Sequence, residues 1–116
     1  MATRKIEREK WVAFFPEFTR HHAGKTVTLS FFGPGSGSHD DTHTHHLIDI
    51  ILEHPGGDNE QVTIRLGAEA KAIVTRTVNL PVQVWLKAGE DDVDETLEVR
   101  SEHGQVILLH FRVRED

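Results

Sequence analysis

Between His39 and His46 the chain places four histidines and two aspartates in eight consecutive residues, His39-Asp40-Asp41-Thr42-His43-Thr44-His45-His46. Imidazole nitrogens and carboxylate oxygens are ligands for zinc, nickel or copper. In an extended stretch side chains alternate with period two, so His39, Asp41, His43 and His45 project from one edge and Asp40, Thr42, Thr44 and His46 from the other. His43 and His45 then make a two-point chelate with His39 or Asp41 as third ligand, and Asp49 can steady an imidazole from behind. The competing reading is that a Gly- and Ser-rich hairpin loop is polar because water solvates it, and that a dense histidine cluster takes up metal adventitiously. A cupin-like site also needs a later carboxylate and a distant histidine, and His103 and His110 carry no companion motif. The sequence thus requires no cofactor and leaves zinc, nickel or copper open.

Other candidate chemistry is thinner. Gly33-Pro34-Gly35-Ser36-Gly37-Ser38 follows a strand, but no Lys and no helix come after it, so a phosphate cradle has neither charge nor dipole. Ser38, His39 and Asp40 are sequence neighbours, whereas a nucleophilic triad is assembled by the fold with the histidine in the middle. Glu90, Asp91, Asp92, Asp94 and Glu95 lack the Gly and the terminal bidentate Glu of a calcium loop and read as a solvated acidic hairpin. Trp85 among polar alternates and His110 opposite the Phe111 face mark a partner surface if both lie on one exposed sheet face. With no convergent acid, base and nucleophile, a non-enzymatic interaction or stress-associated accessory role is favoured over an enzyme. A catalytic or sensory metal site is the alternative. A proton sensor is a third variant, because nine protonated histidines would carry the formal charge from -6 to +3 with every carboxylate ionised.

These groups must be held by a chain of 116 residues, the size of one domain spanning residues 1–116. Hydrophobic residues at 37% and charged residues at 28% are a globular balance. A formal charge of -6 with thirteen Lys and Arg argues against nucleic acid and anionic membranes as partners, and leaves a protein partner, a second copy included. The lack of cysteine excludes disulfides and thiolate chemistry. Neither an apolar signal region nor a run of membrane-spanning length is present, which implies a cytoplasmic protein.

Trp11, Phe14, Phe15 and Phe18 recur at helical spacing and predict an amphipathic helix over about 7–22, with Pro16 kinking it or opening a second short helix. Period-two alternation then predicts strands at about 26–32, 46–53, 61–66, 72–78, 82–87, 96–101 and 105–114, with residues 33–45 a flexible connection. The density of the 47–52 run suggests burial on both faces. Connections this short exclude parallel crossovers, so the expected class is α+β, mostly β. One N-terminal amphipathic helix covers an antiparallel meander of six to seven strands, a rolled sheet or partly open barrel.

Several stretches also resemble a known family. Trp11 with Phe14 and Phe15 ahead of Thr19-Arg20, the strand start Pro81-Val82-Gln83-Val84, and the ending Gly104-Gln105-Val106-Ile107-Leu108-Leu109-His110-Phe111-Arg112 are similar to a small bacterial family catalogued as domain of unknown function 5335. The resemblance spans the helix to the last strand. It implies a single domain, carries over no activity and no catalytic residue, and leaves the His-rich stretch outside its pattern.

Overall fold

Trp11, Phe15, Phe18 and His22 follow at intervals of four, three and four, which lines up one stripe of a helix. They are the buried residues of helix α1, Trp11–His22. The computed structural model describes residues 2–33, 37–67, 73–88 and 94–112, and for residues 2, 37–44, 94 and 112 the backbone alone. A 3-10 turn, Arg8–Lys10, leads into α1, and before it lies a short strand, β1, Ala2–Lys5. Pro16 sits inside α1, which continues through it as one helix instead of restarting there. Pro16 lacks the N–H that would reach the Val12 carbonyl, but both residues face outward, Val12 at 62% exposure, so water can take the hydrogen-bond donor's place.

Seven more strands follow: β2 Thr26–Gly33, β3 Gly37–Glu53, β4 Gln61–Gly67, β5 Ile73–Asn79, β6 Pro81–Ala88, β7 Asp94–Ser101 and β8 Val106–Arg112. They form one sheet in the order β1-β6-β7-β8-β2-β3-β4-β5. Every neighbouring pair is antiparallel. The meander is therefore two meanders, β2 to β5 and β6 to β8, joined where β8 pairs with β2. Leu80 alone connects β5 to β6, so the ends of two strands far apart in the sheet order lie within roughly 7 Å. A flat sheet cannot satisfy that link, and the sheet must roll. Its two edges, β1 and β5, do not pair with each other, so the roll stays open and no barrel closes.

The corner is fastened by backbone. Leu80 N donates to the Glu60 carbonyl at 2.8 Å, and Glu102 N donates to the Leu80 carbonyl at 2.8 Å. Leu80 takes a left-handed φ of 52° to make the turn. Glu60, 5% exposed, accepts from Arg8 Nη2 at 2.5 Å and from Gly56 N at 3.0 Å, while Arg8 Nη1 reaches the Pro81 carbonyl at 3.4 Å. One carboxylate thus ties the 3-10 turn, the β3–β4 turn and the sheet corner together.

The core lies on the concave side, where Val27, Leu29, Val62, Ile64, Leu66, Leu97, Leu109 and Phe111 meet Phe15 of the helix, all at 0% exposure. β3 is the long element, and the residues expected to form a loop are its first half. Residues 37–46 pair with β2, and residues 46–53 pair with β4. Past His46 the edge that β2 has left is taken by the helical segment. Gly24 N donates to the Leu47 carbonyl at 2.8 Å, Leu47 N donates to the Lys25 carbonyl at 3.0 Å, and Thr19 Oγ1 accepts from Ile50 N at 3.1 Å and donates to the Ile50 carbonyl at 3.2 Å. A register shift between Leu47 and Asp49 interrupts the alternation. The 47–52 run accordingly buries Leu47 and Ile50 but leaves Ile51 41% exposed, not two buried faces. Among the described residues no helix is long and apolar enough to cross a membrane.

Candidate functional site

The His-rich stretch is extended, as a chelating edge requires, but its alternation is broken. Val27 stands opposite His45, Leu29 opposite Asp41 and Phe31 opposite His39, with a register shift between Val27 and Leu29. Residues 42–44, His43 among them, therefore face Thr28 alone. Positions 39, 41 and 45 keep step with inward residues of β2, while position 43 belongs to the bulge. His45 is buried at 5% exposure on the concave side. The side chains of His39, Asp41 and His43 lie outside the described residues, as does the acidic run 90–92. His46 is exposed and lies over Gly67 in the facing strand, where a Cβ would collide with its ring.

The second candidate surface is the outer face of the sheet. Leu97 and Val99 point into the core, so Thr96, Glu98 and Arg100 point out. Register extends that outer face in rows. Lys5, Trp85, Glu98, Leu108 and Ser30 form one; Thr3, Lys87, Thr96, His110 and Thr28 flank it on one side, and Gln83, Arg100, Val106 and Phe32 on the other. Trp85 and His110 thus share an open face, two strands apart.

Polar contacts follow the same rows. Lys87 Nζ donates to Glu98 Oε1 at 3.0 Å, Arg100 Nε donates to Glu98 Oε2, Thr96 Oγ1 meets His110 Nδ1 at 2.8 Å, and Trp85 Nε1 donates to Gln83 Oε1 at 3.3 Å. Glu98 is 3% exposed although it lies on a face no described element covers, with the Lys87 and Arg100 side chains bonded to its carboxylate. Burial pushes its carboxyl up, and the hydrogen bonds from Arg100 and Lys87 outweigh that and hold it below the ordinary range. The two cations keep their own side chains half out, 43% for Lys87 and 49% for Arg100.

One pair escaped the reading of the sequence. His22, 9% exposed, stacks on Phe18 with ring centroids 3.8 Å apart and meets Phe111 edge-on at 5.0 Å. Its Nδ1 lies 2.9 Å from the Phe18 carbonyl and its Nε2 lies 2.5 Å from Glu95 Oε1. Both partners are acceptors, so each contact is a hydrogen bond when the ring nitrogen facing it carries a proton. The hydrogen bond from His22 is the largest influence on Glu95 and holds its carboxyl low; burial opposes it, and the charges of His22, Lys25 and Arg4 assist. The missed signal was spacing, since His22 falls four residues after Phe18 on the buried stripe rather than merely in a cationic last turn. A cleft of about 550 Å³ opens beside it between α1 and the β1–β6 edge, lined by Arg4, Lys10, Phe14, Glu17, His21 and Leu86 among others. Both ring nitrogens of His22 face acceptors within the fold, the Phe18 carbonyl and Glu95. The pair bolts the end of α1 to β7.

No curated protein matches this chain. Its fold is similar to the crystal structure of the Bacillus subtilis YojF protein, with a TM-score of 0.52 and 9% identity over 100% of this chain and 98% of that one, a likeness that speaks to fold alone. Residues 2–116 match the family of unknown function DUF5335, and the chain belongs to that family.

Proposed function

We propose that this domain is a non-enzymatic interaction module whose working surface is the outer sheet face around Trp85. The observation that carries the reading is the Lys87–Glu98–Arg100 cluster. A buried carboxylate on an uncovered sheet face fixes two half-exposed cations beside an amphipathic aromatic. Aromatic residues and Arg are enriched where proteins bind one another. Two other buried ionisable groups are engaged in holding the fold, Glu60 at the corner and His22, with Glu95, at the helix end. The test is a photo-crosslinking residue in place of Trp85 in living cells, with the same residue in place of Ile73, 62% exposed on the opposite edge strand, as control. A discrete adduct with another protein is expected from position 85 alone. No adduct, or the same adducts from both positions, refutes the reading.

Divalent-metal binding in β3 is the second reading, supported by the register that sets positions 39, 41 and 45 in step with inward residues of β2, with His45 buried. Under it zinc, nickel or copper would be held by His45 with His39 or Asp41, and His43 would contribute from the bulge. Elemental analysis of tag-free, chelator-washed protein beside a His43→Ala/His45→Ala variant tests it. Stoichiometric metal lost in the variant is expected; equal, sub-stoichiometric metal in both removes it.

A further inference from the structure

We infer that the free edge of β5 pairs antiparallel with β5 of a second copy, about a two-fold axis through Arg76, so that one sheet runs across a homodimer. The edge is separate from the outer face around Trp85, and a photo-crosslinker at position 73 would report the pairing as an adduct of two identical chains. Open backbone groups are the first ground. Leu47 and Ile50 direct their N–H and C=O groups away from β4, toward Gly24, Lys25 and Thr19. Their partners in β4, Leu66 and Ile64, therefore direct theirs toward β5, where they meet Val74 and Arg76. The Glu60 carbonyl, which accepts from Leu80 N, keeps the same step. Backbone direction alternates along a strand, so Ile73, Thr75, Thr77 and Asn79 point their N–H and C=O groups out of the sheet. β5 ends the strand order, and no described strand pairs with that side.

Self-complementarity is the second ground. Val74-Thr75-Arg76-Thr77-Val78 reads the same from either end. A two-fold axis through Arg76 sets Thr75 opposite Thr77 of the second copy, Val74 opposite Val78 and Ile73 opposite Asn79. The residues with open groups then all fall at hydrogen-bonded positions, and any other two-fold register leaves some of them unpaired at the ends. Threonine facing threonine and valine facing valine are favourable cross-strand pairs. The third ground is that β5 lacks the usual protection of an edge, which is short length, Lys, Pro or a bulge. β1, the opposite edge, has four residues, Arg4 and Lys5 among them. β5 has seven, holds an unbroken register with β4, contains no Pro, Lys or carboxylate, and carries Ile73 at 62% exposure. Its single charge, Arg76, would face its own copy at the axis, but the guanidinium is turned along the inner side, with Cζ 5.4 Å from the Phe31 ring centroid. Arg76 Nη1 covers one open carbonyl, that of Thr75, through a long bond of 3.4 Å that pairing would replace.

The test uses the full chain, which has no cysteine of its own. Sedimentation velocity should show a reversible equilibrium of monomer and dimer, with nothing larger, between about 10 μM and 1 mM. Thr75→Pro removes an N–H that β4 does not use, so the monomer should keep its fold by circular dichroism while self-association weakens roughly tenfold or more. Thr75→Lys/Thr77→Lys leaves the backbone untouched and sets ammonium groups opposite one another across the axis, and it should weaken association as much. Arg76→Cys should give a disulfide-linked dimer under mild oxidation, because Cα atoms facing each other at the axis lie about 4.5 Å apart, within disulfide reach. Ile73→Cys is the control. It is the more exposed position, yet its own copy would lie roughly 20 Å away along the strands, the rise of six extended residues, so it should not link. A native protein that is monomeric at about 1 mM, species larger than a dimer, a dimer that either folded edge variant leaves unchanged, or Ile73→Cys linking as fast as Arg76→Cys overturns the proposal.

Discussion

Glu95→Gln should destabilise the protein by about 2 kcal/mol at pH 7, the scale of a hydrogen bond to a charged group. The His22 and Glu95 side chains are 11% and 22% exposed, and Nε2 and Oε1 are 2.5 Å apart. Glutamine preserves the shape and one acceptor oxygen but removes the charge. The imidazole then faces the Phe18 carbonyl, 2.9 Å away, and a neutral amide in place of a carboxylate. For a domain of this size the loss corresponds to a melting temperature lower by roughly 8 °C.

The pH dependence distinguishes this from a simple packing defect. The folded-state pKa of Glu95 is lowered from its ordinary 4.5. Its contribution is therefore fully present above that ordinary value and is lost as pH falls through the lower, folded value. Urea unfolding of the native protein and the variant at pH 7 and at about pH 3 should show a gap at the first and a much smaller one at the second. His22→Phe supplies the remaining corner of a double-mutant cycle, since it retains a ring stacked on Phe18 and edge-on to Phe111 while removing both ring nitrogens. A Glu95→Gln protein as stable as the native one within about 0.5 kcal/mol at pH 7 refutes the latch, and so does a gap of equal size at both pH values.

Phe15→Ala opens a cavity under a fully buried ring and should cost about 3–5 kcal/mol, measured as a urea midpoint shift at unchanged slope. Glu98→Leu replaces a buried carboxylate by a side chain of similar size and should leave thermal stability within about 1 kcal/mol or raise it, since ion pairs often yield to apolar groups without loss; a larger fall would mean that the pair is a net stabiliser. Gly67→Ala brings a methyl group into the ring of exposed His46. It should cost up to about 1 kcal/mol in the native background and turn neutral or stabilising once His46→Ala has cleared the space, because alanine then retains only its advantage over glycine in a strand.

Patterns carried by one chain segment were readable from sequence, and patterns created by pairing were not. The helix stripe and the alternation at Val62, Ile64 and Leu66 are local, so the elements and their inward faces followed directly. β1 has only four residues and draws its apolar partner from β6, leaving no period to detect. Leu80 at a φ of 52° is a corner that leucine does not announce; its conformation is imposed by the Glu60 carbonyl and Glu102 amide on either side. Glu98 alternates outward like any surface glutamate with Arg100 two residues on, and the third member, Lys87, comes to it only through pairing with β6.

The His-rich stretch is the sharpest case. Strict alternation put His39, Asp41, His43 and His45 on one edge, and the hydrogen-bonded partner altered that geometry. β2 must keep Val27 and Leu29, two residues apart, in the core, while β3 sets His45 and Asp41, four residues apart, against them. The surplus residues have to leave the ladder, and position 43 leaves with them. A side chain in a bulge is re-aimed relative to its neighbours. Any metal held here would thus be gathered from a bent strand rather than a straight one, so its affinity should depend on Thr28, the lone residue opposite the bulge. Shortening β3 by deleting two of residues 42–44 would restore the ladder. If metal binding survived that deletion unchanged, the bulge would have no part in it.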